Sequence, residues 1–198
     1  MLKKIAVLVS GGGTNLQALI DAKNNGRIQN GVFSLVVSSK PDVFALERTE
    51  KANIPTAVIE RKSYACSEEF DAALLSLLKE HRIDIVVLAG FLSVLGETVV
   101  KAYPNKIINV HPSLIPSFCG KGYYGLHVHE EALNKGVKVT GATVHFVNEI
   151  PDGGEIILQK AVEVLPSDTP ETLQKRVMEE AEWQLLPFAL EMLCNNEI

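Results

Sequence analysis

Two apolar runs constrain this chain more than any other feature. Residues 5–9 (Ile-Ala-Val-Leu-Val) and 83–89 (Ile-Asp-Ile-Val-Val-Leu-Ala) lack the sustained apolar–polar alternation of a half-exposed strand; the first breaks after Ser10 into Gly11-Gly-Gly13, and the second runs directly into Gly90. A strand that is apolar on both sides must be covered on both sides, as happens in a parallel sheet flanked by helices. Parallel neighbours also need long crossovers, which helices supply. The chain is therefore expected to fold as an α/β protein with a mostly parallel central sheet and helices on both faces.

The intervening stretches fit that plan. A helical pattern with Leu16, Leu19 and Ile20 follows the first strand, and residues 33–37 form a second strand. A helix is predicted over 41–52, starting beside Pro41, then a short strand over 57–59 and an amphipathic helix over 68–81. His81, in the last turn of that helix, complements its dipole. A short helix over 97–103 ends at Pro104, and residues 106–110 return to the sheet. Residues 126–133 start a further helix closed by Gly136, and 139–147 alternate as a strand with Thr143 and His145 on one face. Residues 156–164 enter directly from a turn, so these last two strands are expected to pair antiparallel. Thr169 caps the last helix with Pro170 at its first position. Its packed stripe is predicted as Leu173, Val177, Ala181, Leu185 and Phe188, with a kink at Pro187.

A length of 198 residues with 46% hydrophobic content fits one domain, 1–198. The balance of 19 basic and 24 acidic residues, net −5, argues against a nucleic-acid coat or a polybasic membrane anchor. Cys66, Cys119 and Cys194 form no CxxC pair and suggest no disulfide framework, which fits a reducing cytoplasm. The first apolar run is too short for a signal peptide, and none approaches membrane-spanning length.

Chemistry concentrates in two places. Residues 107–116, Ile-Ile-Asn-Val-His-Pro-Ser-Leu-Ile-Pro, carry Asn109 and His111 to the end of a strand, two residues apart and so on one side of it. Ligands of open α/β sheets bind beyond the strands' carboxyl ends. An amide donor and an imidazole there suit a reaction that builds negative charge on a carbonyl oxygen. A plain strand end with a hydrogen-bonded core histidine is the other reading. Ser10-Gly-Gly-Gly-Thr-Asn-Leu-Gln17 joins the first strand to its helix, where free N–H groups converge on an anion. It lacks the Lys-Ser/Thr of a nucleotide triphosphatase loop and the third glycine of the dinucleotide fingerprint, so a tight turn without ligand also stands. His127 and His129 have no further ligands at zinc-site spacing. His127 is assigned to hydrogen bonding and His129 to the exposed surface. The apolar turn 90–95 reads as core or as a wall for a flat ligand. Asp152, in the turn 149–155, is by composition a turn former.

These motifs, in their order, resemble the folate-dependent phosphoribosylglycinamide formyltransferases. Besides the glycine-rich loop and Ile108-Asn-Val-His-Pro-Ser-Leu-Ile-Pro116, they are Val86-Val-Leu-Ala-Gly-Phe91, Gly125-Leu-His127, Thr140-Gly-Ala-Thr-Val-His145 and Asp152-Gly-Gly154. The resemblance implies a three-layer, Rossmann-like formyltransferase fold. It places phosphate and substrate binding in about 1–100, and folate binding and catalysis in about 101–198. It implies transfer of the formyl group of 10-formyltetrahydrofolate, a co-substrate, to the glycinamide amine, with no metal. Asn109, His111 and Asp152 would be catalytic. Gly13, Thr14 and Asn15 would hold the substrate phosphate, and Glu182 its ribose. Leu92, Ser93, Val94, Leu95 and Asn109 would face the folate, and Thr143 and His145 would support the site. Asp152 would orient His111 and favour its protonated form. The expected partners are small molecules, without nucleic acid or membrane, for a cytoplasmic monomer or homodimer.

Four departures from the family pattern stand out. The stretch between Pro116 and Gly125 is longer than in the shortest members. Ser67 replaces a basic residue of some relatives. Trp183 stands where many have histidine, and one extra residue precedes Pro187. The nearest rival is a formyltetrahydrofolate deformylase, whose usual N-terminal regulatory domain has no counterpart before the first strand. A methionyl-tRNA formyltransferase would call for a further C-terminal domain. A non-catalytic folate or nucleotide module would not need the trio.

Overall fold

The structure, a computed structural model, describes residues 2–198. Seven strands form one sheet in the order β3-β2-β1-β4-β5-β6-β7, with β1 at Lys3–Val9, β2 at Gly31–Ser38, β3 at Thr56–Val58, β4 at Ile85–Leu88, β5 at Ile107–His111, β6 at Val139–Phe146 and β7 at Ile156–Glu163. The first five are parallel; β6 runs antiparallel to β5, and β7 antiparallel to β6, as the turn-linked pair 139–147 and 156–164 predicts. The helices are α1 (Thr14–Asn24), α2 (Phe44–Lys51), α3 (Ser67–Glu80), α4 (Glu97–Ala102), α5 (Leu126–Asn134), α6 (Pro170–Val177) and α7 (Trp183–Cys194).

Strand β1 shows why its sequence is apolar throughout. Residues 5–9 are all fully buried. Ile5, Val7 and Val9 join a core that includes Leu16 and Leu19 of α1 and Leu186 and Leu190 of α7, whereas Ala6 and Leu8 join Phe70, Leu74 and Leu78 of α3 on the other face. The period-two geometry of a strand sends neighbouring side chains to opposite layers, so both sets must be apolar. The chain moves outward from β1 through β2 to β3, then returns to β4 on the other side. Beyond the carboxyl ends of β1, β4 and β5 lies the crevice that such a reversal creates.

Two local expectations fail. Helix α2 starts at Phe44 rather than beside Pro41, because Asp42 takes a left-handed conformation (φ 53°) and Val43 is extended. The C-terminal helix is divided ahead of Pro187, not at it: Met178–Glu182 form a π turn in which the Trp183 N–H reaches the Met178 carbonyl. Five residues instead of four then separate successive inward positions. The buried stripe runs Leu173, Val177, Ala181, Leu186, Leu190, and Phe188 is 60% exposed. The π turn thus absorbs the extra residue noticed before Pro187, the usual way such turns arise at functional sites. The capped start is as expected, with Thr169 accepting from the Thr172 N–H in a reciprocal capping box.

Candidate active site

Strands β5 and β6 build the floor of the cleft. Their register sets Asn109 opposite His145 and His111 opposite Thr143. The turn between β6 and β7 brings in Asp152, itself left-handed (φ 55°), a conformation Asp and Asn tolerate better than most residues. Asn148 braces that turn, accepting from the Ile150 N–H and donating to the Gly153 carbonyl. Sequence position separates Asn109, His111 and Asp152, and the fold brings all three together. Asp152 Oδ2 lies 3.5 Å from His111 Nδ1, and Oδ1 lies 3.4 Å from Asn109 Nδ2. Thr143 supports the floor from below: its hydroxyl donates to the Ser113 carbonyl and accepts from the Ile115 N–H, anchoring the loop after His111.

Hydrogen bonding assigns the protons. His145 Nδ1 is 2.7 Å from the Phe146 carbonyl, which can only accept, so Nδ1 carries hydrogen. In the neutral ring Nε2 is then an acceptor, and the Asn109 amide nitrogen donates to it at 3.1 Å. That contact fixes which way the Asn109 amide faces. His111 Nε2 donates to the Phe118 carbonyl at 2.8 Å.

Burial drives the His111 imidazole below its ordinary pKa, outweighing the upward pull of Asp152 and of the Phe118 carbonyl. Asp152 does favour the protonated form of His111, as expected, but desolvation outweighs it in the net direction. The neutral ring leaves Nδ1 with a lone pair facing Asp152, which accounts for a separation longer than a charge-assisted hydrogen bond. For Asp152 burial acts upward, yet its approach to His145 and His111 and the 2.8 Å bond from the Gly120 N–H hold it below the usual carboxylate range.

The other end of the cleft is built on β1 and α1. Gly13 is left-handed (φ 70°), and a Cβ there would come within 2.7 Å of the Ala45 side chain, so glycine is required on both counts. Among the described residues no protein group accepts from the N–H groups of Gly12, Gly13, Thr14 or Asn15 at the start of α1. Arg48 braces the loop, with Nε on the Gly12 carbonyl and Nη1 on Gln17 Oε1, both at 2.9 Å. Asn15 Nδ2 donates to Glu182 Oε2 at 2.6 Å, joining α1 to the π turn. Burial pushes the Glu182 carboxyl up to about 7, with Asn15 pulling the other way.

Between the two ends lies a cleft of about 460 Å³ whose lining includes Asn15, Asn109, His111, Asp152 and Glu182. Gly90, Phe91, Leu92 and Val94 form one wall. Of the other residues expected there, the Ser93 side faces a neighbouring groove, and Leu95 is 5% exposed with its side chain in the core beside Leu88 and Val99. An apolar turn cannot present every side chain outward. A larger surface cleft beside α2 and β3, about 700 Å³, shares no lining residue with this one.

Sequence reasoning missed five contributors. Gly120 and Tyr123 of the long loop line the cleft, as do Gln174 and Met178 of the C-terminal helix. His129 is fully buried, not at the surface, and neither ring nitrogen has a partner among the described residues. Its burial, with the nearby His111, lowers its pKa to about 4. The available signal was helical spacing: Val128, His129 and Ala132 share the inward face of α5, while His127 points out and meets Glu130 at 3.3 Å.

The chain is similar over its length to proteins of known family. Residues 3–190 match the family described as formyl transferase. A Haemophilus influenzae phosphoribosylglycinamide formyltransferase is 40% identical over 197 residues, covering 100% of this chain and 90% of the relative. The human trifunctional purine biosynthetic protein adenosine-3 is 45% identical over 98% of this chain, which spans 19% of that relative and 14% of its Drosophila melanogaster counterpart. A crystal structure of glycinamide ribonucleotide transformylase 1 from Symbiobacterium toebii superposes with a TM-score of 0.92 at 40% identity, covering 98% of this chain and 89% of the other. With a matching family profile, a matching fold and a cleft floored by Asn109, His111 and Asp152, the chain belongs to the formyl transferase family, in its phosphoribosylglycinamide formyltransferase branch.

Proposed function

We propose that the chain transfers the formyl group of 10-formyltetrahydrofolate to the amine of 5-phosphoribosylglycinamide, giving formylglycinamide ribonucleotide and tetrahydrofolate in de novo purine synthesis. The observation that carries this reading is a single cleft with a carbonyl-directed trio at one end and an anion-ready helix start at the other. Such a layout suits an acceptor with a phosphate at a distance from its nucleophile. The domain, 1–198, draws its cleft from both halves of the sequence.

The chemistry follows from the proton assignments. The neutral amine attacks the formyl carbon, and the carbonyl electron pair moves to oxygen. Asn109 keeps one amide hydrogen on His145 Nε2 and turns the other from its long 3.4 Å contact with Asp152 to that oxyanion; one such donor is typically worth about 10²–10³ in rate. The open lone pair on His111 Nδ1 takes the amine proton, and the Asp152 carboxylate stabilises the imidazolium so formed. That proton then passes to the departing folate nitrogen as its bond to carbon breaks and the carbonyl re-forms. Because the His111 pKa is depressed, acid protonates Nδ1 in advance and turnover falls on the acid side.

At the other end, the N–H groups of Gly13, Thr14 and Asn15 take the substrate phosphate. Arg48 adds positive charge beside them, and Glu182 receives the ribose hydroxyls. Leu92 and Val94, 52% and 72% exposed, cover the folate's flat face. The reaction asks for no metal. We place the enzyme in the cytoplasm, acting on small molecules as a monomer or homodimer.

The test follows folate release and free formate separately, with and without the ribonucleotide. Folate release that depends on the ribonucleotide, without free formate, is expected. Formate release in its absence would instead identify a deformylase and remove the phosphate role of the glycine-rich loop.

A further inference from the structure

At the mouth of the cleft β1 stops pairing with its neighbours β2 and β4. The last main-chain links run from the Ala89 N–H to the Leu8 carbonyl at 2.9 Å and from the Ser39 N–H to the Val9 carbonyl at 3.0 Å. Past that point a single side chain continues the connection. Ser10 Oγ accepts from the Leu92 N–H at 2.9 Å and lies 2.5 Å from Ser39 Oγ. Both serines are buried, at 4% and 8% exposure. A hydroxyl accepts from one group and donates to another, so Leu92, Ser10 and Ser39 form a continuous chain across three strand ends.

That chain holds the apolar wall. Among the described residues, the Leu92 N–H is the one backbone group of 90–95 that makes a hydrogen bond. The turn is anchored on its flanks by Ala89 on Leu8 and by the Gly96 N–H on Asp71 Oδ1 at 3.1 Å. Between those anchors its position is set from Ser10. Leu92 and Val94 stand on this turn and line the cleft. In the other direction Ser10 leads directly into Gly11-Gly-Gly13. Gly11 and Gly12 are held through their carbonyls, by the Ala45 N–H at 3.2 Å and by Arg48 Nε at 2.9 Å. One buried hydroxyl thus belongs to the loop of one ligand and supports the wall of the other.

An anion drawn onto the N–H groups of Gly13, Thr14 and Asn15 restricts the loop, Ser10 included, and with it the acceptor that holds the wall. A wall already restricted loses less conformational freedom when a flat ligand packs on it. Resting on the formyl-transfer reading above, we propose that Ser10 is a positioning residue that couples the two substrates. Bound ribonucleotide raises the affinity for folate through the Ser10–Leu92 bond, and folate raises the affinity for ribonucleotide by the same factor.

Calorimetry of the full chain with tetrahydrofolate, alone and with saturating ribonucleotide, tests this without turnover. The Kd for tetrahydrofolate is expected to fall about fivefold when the ribonucleotide is present, and the reverse titration should give the same factor. Amide exchange at Leu92 should slow when the ribonucleotide alone is bound. Ser10→Ala removes the acceptor, and the two ligands should then bind independently of each other. Ser10→Thr keeps a hydroxyl and should keep the coupling. If Ser10→Ala does not fold, Ser39→Ala cuts the chain at its far end and should bring the factor down to about twofold. Equal tetrahydrofolate affinity with and without ribonucleotide in the unmodified chain would overturn the proposal, as would full coupling in the alanine variants. Failure of either ligand to bind at all would instead remove the formyl-transfer reading, and this inference with it.

Discussion

Two carboxylates face the same cleft, Glu182 buried and Asp152 partly buried, and they behave oppositely. Asp152 is surrounded by the Gly120 N–H, the Asn109 amide and two imidazoles, and it stays ionised well into acid. Glu182 has one amide partner, Asn15, and its carboxyl is pushed up to about 7. Burial acts upward on both; at Asp152 the surrounding polar groups, the Gly120 N–H among them, outweigh it, whereas at Glu182 a single amide does not. The difference suits the two tasks. On the proposed reaction, a permanent anion would stabilise a transient imidazolium, whereas a carboxyl near neutrality would gain its remaining partners from the ribose hydroxyls.

The hardest test of that comparison is Asp152→Asn. Asparagine tolerates the same left-handed turn, so the substitution removes charge and keeps shape. We expect kcat to fall about 10³-fold or more, with substrate KM little altered. Undiminished turnover in steady-state assays would reduce Asp152 to a turn former. His145→Phe should cost less, about 10–10² in kcat, because Asn109 keeps its amide but loses the acceptor that orients it. An unchanged rate would show that the Asn109 amide is held by other means.

At the opposite end, Glu182→Gln should raise the KM for the ribonucleotide about tenfold and leave kcat nearly intact, reflecting one lost charged hydrogen-bond acceptor. The same variant separates the two carboxylates by pH. Glu182 moves from 4.5 to about 7, so the folded state holds its proton more tightly. Its contribution to stability is fully present below about 4.5 and declines as pH rises through 7, by on the order of 3 kcal/mol. Asp152, held below its ordinary 3.8, contributes above that value and loses its contribution as pH falls through the lower folded pKa. Urea titrations should therefore show a decline between pH 4.5 and 7 that Glu182→Gln abolishes and Asp152→Asn does not. The smallest effect is a control away from the cleft. Thr169→Ala, which removes the cap of α6, should cost about 1 kcal/mol in the urea midpoint and leave both kinetic constants alone.

Much of this was legible in the residues. The doubly apolar β1 and β4 required a covered sheet, Thr169 and Pro170 marked a helix start, and Asn109 and His111 shared a strand face. The misreadings share a cause. The stripe through Leu185 and Phe188 assumed a constant helical period, which the π turn interrupts. His129 was judged from its polarity, though its helical phase turns it inward. For His111 the carboxylate pulls the pKa up as expected, while burial, which no neighbour along the chain reveals, pulls it further down.

What the sequence determined by itself is therefore local: which segments are strands or helices, and which residue types could do carbonyl chemistry. Those follow from periodicity and capping, whose range is a few residues along the chain. Tertiary structure alone decided that Asp152 meets His111 and that Asn15 meets Glu182, 167 positions later. It also decided how much water each group loses. Desolvation depends on everything packed around a side chain, and no short stretch of sequence contains that information.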